Sequence, residues 1–144
     1  MNKGYHVLWV DDYASIRETL GLLLRAHYRV TIRPNGREAM AWLDSGNQPD
    51  LIVAGLERPH PHGADLITRL RASTGYFWIP LVVLTDADDS LTRINCLERG
   101  ADACLSKPFN PSELLAKSKG LLRGTSRSDA LFAERPGAQP HPVG

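Results

Sequence analysis

Long apolar runs are missing from this chain of 144 residues. The first run, Val7-Leu8-Trp9-Val10, is far shorter than the ~20 residues of a bilayer span or the ~7–15 of a secretory core region. No leader or span is read from it, and the protein is expected in the cytoplasm. Cysteine is scarce, with Cys96 and Cys104 the only two. They form no CxxC or Cys/His ligand pattern, so a disulfide scaffold and a zinc module are excluded and two reduced packing residues are expected. An excess of charge is missing as well. The 17 Lys and Arg stand against 16 Asp and Glu, for a net charge of +1, and no basic cluster occurs. Composition therefore makes no case for a nucleic-acid or membrane partner. Internal repeats, a glycine-rich phosphate loop and a nucleophile–base pair are all absent, so the chain does not read as an enzyme.

What is present suits one domain with a real core: 42% of the residues are apolar and 23% charged. Short apolar runs alternate with stretches of helical spacing. Val7–Val10 is a strand ended by Asp11-Asp12. Ile16, Leu20, Leu23 and Leu24 stripe a helix over Tyr13–Ala26. Tyr28–Arg33 is a second strand, and Pro34-Asn35-Gly36 turns the chain into a short helix, Arg37–Asp44. Leu51–Ala54 is the third strand. The loop after it holds Pro59, His60, Pro61, His62 and Gly63, and a helix follows over Ala64–Arg71. Leu81–Thr85 is the fourth strand. A helix over Ser90–Arg99 follows, closed by Gly100. Ala103–Leu105 is the fifth strand. Asn110 caps a last helix that opens with Pro111 and ends near Leu122. Residues 124–144, rich in Pro and Gly, are expected as a disordered tail after a domain over 1–123.

A strand–helix unit repeated five times with short connections predicts an α/β fold: a doubly wound, five-stranded parallel sheet with helices on both faces. In such a sheet the functional crevice lies beyond the carboxyl ends of the strands. Those ends carry Asp11 and Asp12, Gly55 and Glu57, Thr85 and Asp86, and Lys107. Adjacent acids repel unless a cation relieves them, and hard carboxylate oxygens suit Mg²⁺. A hydroxyl and a Lys on neighbouring strands suit phosphoryl oxygens.

Over residues 5–122 the chain resembles a response-regulator receiver domain. The acid pair after the first strand, Thr85 ending the fourth, and the segment Gly100-Ala101-Asp102-Ala103-Cys104-Leu105-Ser106-Lys107-Pro108-Phe109 carry the resemblance. It implies a flavodoxin-like (βα)5 fold with strand order 2-1-3-4-5. It also implies Mg²⁺ on the acid pair, an Asp on the third strand that accepts a phosphoryl group from a histidine kinase, Thr85 and Lys107 holding that group, and a cis bond between Lys107 and Pro108. Three positions depart from the family. The acceptor lies four residues before a loop Pro and eight before a Gly. Counting back from Pro59 and from Gly63 gives the same residue, Gly55, so the phosphoacceptor position is vacant. Asp86 stands where a small residue gives the phosphoryl group access. Cys104 replaces the aromatic three residues before the Lys.

The expectation is an atypical, or pseudo-, receiver that signals without aspartyl phosphate. Asp11, Asp12, Thr85 and Lys107 are its retained site residues, and Mg²⁺ on Asp11 and Asp12 is weak or lost. Glu57 is the candidate substitute acid, turned toward Lys107. Partners are expected to be proteins of a signalling pathway, a histidine kinase or an output protein among them. By the resemblance, the contact face is helix 4, strand 5 and helix 5, which also offers a homodimer. Four alternatives stay open: a Mg²⁺-dependent phosphorylatable receiver whose acceptor Asp was lost or replaced by engineering, the receiver part of a longer regulator, a small ligand in the vacated pocket, and, last, an enzyme such as a phosphatase built on the same fold. His60 and His62 lack a third ligand and read as an exposed loop. Tyr76-Phe77-Trp78 reads as local packing or as an exposed partner contact.

Overall fold

The computed structural model describes residues 4–11, 21–56, 61–85, 90–106 and 109–133. In chain order the elements are β1 (His6–Val10), α1 (helical over residues 21–25), β2 (Arg29–Arg33), α2 (Gly36–Asp44), β3 (Leu51–Leu56), α3 (Pro61–Ala72), β4 (Leu81–Thr85), α4 (Ser90–Arg99), β5 (Ala103–Ser106) and α5 (Pro111–Ala133). The five strands are parallel, in the order β2-β1-β3-β4-β5. This is the doubly wound, flavodoxin-like arrangement expected from the alternation of elements.

Alternation along each strand divides the interior into two layers, as a pleated sheet covered on both faces requires. Leu8, Val10, Ile52, Ala54, Leu81 and Val83 face α2, α3 and α4, where Ala39, Met40, Leu43, Leu66, Ile67, Leu70 and Cys96 complete the layer. Val7, Trp9, Leu51, Val53, Val82, Leu84, Ala103 and Leu105 face the other way, against Leu24 of α1 and Leu114 and Leu122 of α5. Trp9 is fully buried there.

Local chemistry sets the helix ends. The Asn35 side chain accepts from the Glu38 N–H at 2.9 Å and donates back to the Glu38 carboxylate at 3.3 Å, starting α2 at Gly36. Asn110 Oδ1 accepts from the N–H groups of Ser112 and Glu113 at 2.9 and 3.2 Å, starting α5. Gly100, with φ +128°, ends α4. Its N–H bonds the Leu97 carbonyl and the Ala101 N–H bonds the Cys96 carbonyl, a glycine-terminated C-cap.

Most boundaries fall within one residue of the sequence reading, and three differ by two residues or more. The third strand runs to Leu56, so Gly55 is a strand residue paired with Leu84. Helix α3 starts at Pro61, three positions early, because Pro suits a first helical turn whose N–H groups have no partner. Helix α5 continues past Leu122 to Ala133. Extending an existing helix avoids the nucleation cost, and Ala130-Leu131-Phe132-Ala133 contains no breaker. Residues 134–144 lie outside the described residues, as do residues 12–20, the first part of the expected helix Tyr13–Ala26.

Candidate functional site

The strand register brings the predicted site together at the carboxyl edge. Val10 pairs with Ala54, so Asp11, the next residue of the chain, comes level with Gly55. On the far side of β3, Gly55 pairs with Leu84 and Leu56 with Thr85, which in turn pairs with Ser106 of β5. Adjacent strands lie about 4.8 Å apart, so Asp11 and Gly55 sit side by side at the sheet's carboxyl edge, with Thr85 and Ser106 one residue further along, level with Leu56. Asp11 is held from its backbone, its N–H bonding the Arg33 carbonyl at 3.0 Å. Asp11 and Thr85 are both buried, at 3% and 2% exposure, as are no other described charged or polar side chains except Ser118.

The space beside Gly55 is not empty. A Cβ placed on Gly55 would stand 2.9 Å from Asp11 Cγ, 2.9 Å from Oδ2 and 3.2 Å from Oδ1. The position expected to be vacant therefore lacks its own side chain, and the Asp11 carboxylate lies within contact distance of where that side chain would begin. Asp12, Glu57, Asp86, Lys107 and Pro108 lie outside the described residues, and so does His60; the pairing of Glu57 with Lys107 and the geometry of the Lys107–Pro108 bond fall there too.

Mg²⁺ prefers near-octahedral oxygen ligands at about 2.0–2.1 Å. Among the described residues Gly55 offers no carboxylate, Asp11 is turned onto β3, and no group of three or more His, Cys, Asp or Glu is placed to hold a metal. The described side of the crevice does not fit that ion as it stands.

Cys104 and Cys96 are free thiols on β5 and α4 within the same apolar layer. Burial, and then the neighbouring Cys96 thiol, push the Cys104 thiol up to about 12. Burial raises the Cys96 thiol too. Neither is a thiolate nucleophile at neutral pH. Where an aromatic was absent from the sequence, β5 thus presents a small apolar side chain packed on α4. Next to it, Arg93 of α4 reaches toward the Ser106 hydroxyl at 3.5 Å, a long contact.

The sequence did not reveal Arg71. From the end of α3 its guanidinium donates to the carbonyls of Gly100, Phe77 and Ile79 at 2.8, 2.9 and 2.7 Å, and to Asp102 Oδ2 at 2.9 Å. Asp102 Oδ2 also accepts from the Leu81 N–H at 2.8 Å. This network ties the starts of β4 and β5 together at the edge opposite the crevice. A lone Arg at a helix end carries no pattern that announces it. Two of the three residues of the aromatic run, Tyr76 and Trp78, pack locally. Tyr76 and Trp78 are partly buried against the α2–α4 layer, and the Tyr76 hydroxyl donates to Asp44 at 2.6 Å.

One face carries unpartnered apolar side chains. On α4, Leu91, Ile94 and Leu97 are 68%, 49% and 46% exposed, while Cys96 points inward. No helix among the described residues is long and apolar enough to cross a membrane.

The family model for the response regulator receiver domain matches residues 7–119. The phosphate regulon transcriptional regulatory protein PhoB of Pseudomonas aeruginosa is 36% identical over 128 residues, covering 88% of this chain and 56% of that protein. Response regulator MprA of Mycolicibacterium vanbaalenii is 39% identical over 124 residues, covering 85% and 52%. The chain thus spans about half the length of the curated relatives it matches. Among solved structures, the chemotaxis response regulator CheY4 of Vibrio cholerae superposes with TM-score 0.72 at 30% identity, over 81% of this chain and 98% of that one. The receiver domain of the sensor histidine kinase PA1611 of Pseudomonas aeruginosa superposes with TM-score 0.73 at 26% identity, over 83% and 98%; that structure has a magnesium ion coordinated in its active-site cleft.

Proposed function

The chain belongs to the response regulator receiver domains of two-component signalling, and we propose that it is an atypical member that signals through contact with a protein partner, without an aspartyl phosphate. One observation carries this reading. The Asp11 carboxylate fills the space that a side chain at Gly55 would enter, and Gly55 is the β3 residue to which the spacing from Pro59 and Gly63 assigns the acceptor. A glycine offers no oxygen to phosphorylate and none to a metal.

Output then depends on a surface. The exposed Leu91, Ile94 and Leu97 stripe on α4 supports the face made by α4, β5 and α5, since a contiguous apolar patch is costly in water unless a partner covers it. The partner in this reading is a protein of the pathway, a histidine kinase or an output protein, or a second copy of this chain. The role asks for no catalytic step.

The test is incubation with Mg²⁺ and acetyl phosphate, followed by intact-mass measurement. The expected result is no adduct; a gain of about 80 Da, one phosphoryl group, overturns the reading. The half-length match to PhoB and MprA favours a second reading, in which this chain is the receiver part of a longer regulator and α5, running on to Ala133, leads into the remainder. The mass of the endogenous protein distinguishes the two: a product near 15.9 kDa sinks the longer regulator.

A further inference from the structure

Gly55 and Asp11 act as one unit, and we infer that this unit is a built-in plug. The Asp11 carboxylate occupies the place from which a side chain at residue 55 would reach the crevice, and while it lies there the crevice takes no divalent cation. This rests on the receiver reading above and adds what holds the site shut.

Three observations combine. The first is proximity: Asp11 Cγ and Oδ2 are each 2.9 Å from where a Cβ of residue 55 would stand. Real Cβ atoms essentially never show contacts that short, so every residue except glycine at this position forces Asp11 to move. The second is burial. A carboxylate at a strand end is ordinarily turned toward water, yet Asp11 is 3% exposed. The third is register. The pairing of Val10 with Ala54 sets Asp11 beside Gly55, so the sheet itself brings the two residues together and the Asp11 rotamer completes the contact. The carboxylate is the far end of a side chain with two torsions and can leave without backbone change. Gly55 therefore does two things: it removes the acceptor, and it admits Asp11. A methyl group at residue 55 is enough to expel Asp11, although it supplies no ligand.

The experiment uses the whole chain with MgCl₂ and MnCl₂ alone, read by tryptophan fluorescence and by thermal unfolding. Trp9 lies on β1 just before Asp11 and reports on that strand end. The wild type is expected to show no saturable response over the range in which Gly55→Ala saturates, an affinity gain of about tenfold or more. The gain is expected to vanish in Asp11→Asn/Gly55→Ala. A wild type that binds either cation as tightly as Gly55→Ala overturns the plug. If Gly55→Ala is too unstable to titrate, the Tm values of a double-mutant cycle decide. The Tm loss on Gly55→Ala is expected to disappear in an Asp11→Ala background, and an equal loss in both backgrounds overturns the plug. No phosphodonor is present in this titration, so the two readings fail separately: a phosphoryl adduct in the acetyl phosphate test sinks the phosphate-independent reading, and the cation result is judged by itself.

Discussion

Arg71 lies across Gly100. Its Nε donates to the Gly100 carbonyl at 2.8 Å, and its Cγ stands 2.6 Å from where a Cβ on Gly100 would be. Gly100 also has φ +128°, a backbone conformation that L side chains rarely adopt. Glycine is required there twice, once by the turn and once by the arginine. Gly46 meets only the first condition, with φ +103° and nothing within 4 Å of its hypothetical Cβ. Gly46→Ala is therefore expected to cost about 1 kcal/mol of backbone strain, and Gly100→Ala at least about 2 kcal/mol, because the arginine must also shift. Urea unfolding of the two variants side by side checks the order; equal losses would show that Arg71 yields freely.

Removing the arginine tests the same joint from the other side. Arg71 is partly buried, with its side chain 20% exposed, and it serves three main-chain carbonyls and Asp102. Burial lowers its pKa, and Asp102 beside it opposes that shift. Arg71→Met keeps the stem but leaves those carbonyls without their donor. A loss of about 2–4 kcal/mol is expected by denaturant unfolding. Asp102→Asn keeps an acceptor for the Leu81 N–H and is expected to cost about 1 kcal/mol, since the ion pair is half in solvent.

The sheet was legible because its strands announce themselves. Leu51–Ala54 and Leu81–Leu84 are unbroken apolar runs, as a strand covered on both faces requires, and flanking turn residues mark their length as a strand's. Glycine and proline punctuation placed the turns, and the spacing from Pro59 and Gly63 singled out Gly55. The position of the Asp11 carboxylate was not legible. A missing side chain is visible in a sequence, but the neighbour that takes its place is decided by strand register and a rotamer. Arg71 was hidden for a similar reason, since its partners are main-chain carbonyls, which every residue has. The end of α5 was misjudged because Gly120 and Gly124 weaken helix propensity only modestly once the helix is already propagating.

Alkaline pH should loosen the α4–β5 contact. Burial, and then Cys96, raise the Cys104 thiol from its ordinary 9.0 to about 12. The folded state thus binds a proton that the unfolded chain releases earlier. The resulting stability is fully present below pH 9, and it is lost as pH rises from there through about 12. Tyr28, raised chiefly by burial, acts in the same direction. Unfolding midpoints are expected to fall across that window, less steeply in Cys104→Val. With its thiol pushed up to about 12, Cys104 is almost wholly protonated in the native protein at pH 8, so iodoacetamide should leave it unmodified over hours while labelling it readily in guanidinium. Rapid native labelling would show that the thiol is not held as described.

Ser118 offers a stabilising substitution. It lies on the buried face of α5 at 0% exposure, and its hydroxyl has no hydrogen-bond partner among the described residues. Burying a hydroxyl without a partner costs about 1–3 kcal/mol in protein mutational series. Alanine removes the oxygen, leaves a void smaller than a methyl group and has the better helix propensity by about 0.5 kcal/mol. Ser118→Ala is therefore expected to stabilise the protein by about 0.5–1.5 kcal/mol, read as a higher Tm and an unchanged denaturant slope. The indole N–H of Trp9 is the other buried side-chain polar atom without a hydrogen-bond partner among the described residues. If a water molecule bonded both groups, Ser118→Ala would strand it and stability would fall instead. The sign of the change thus separates a dry α5 face from a wet one.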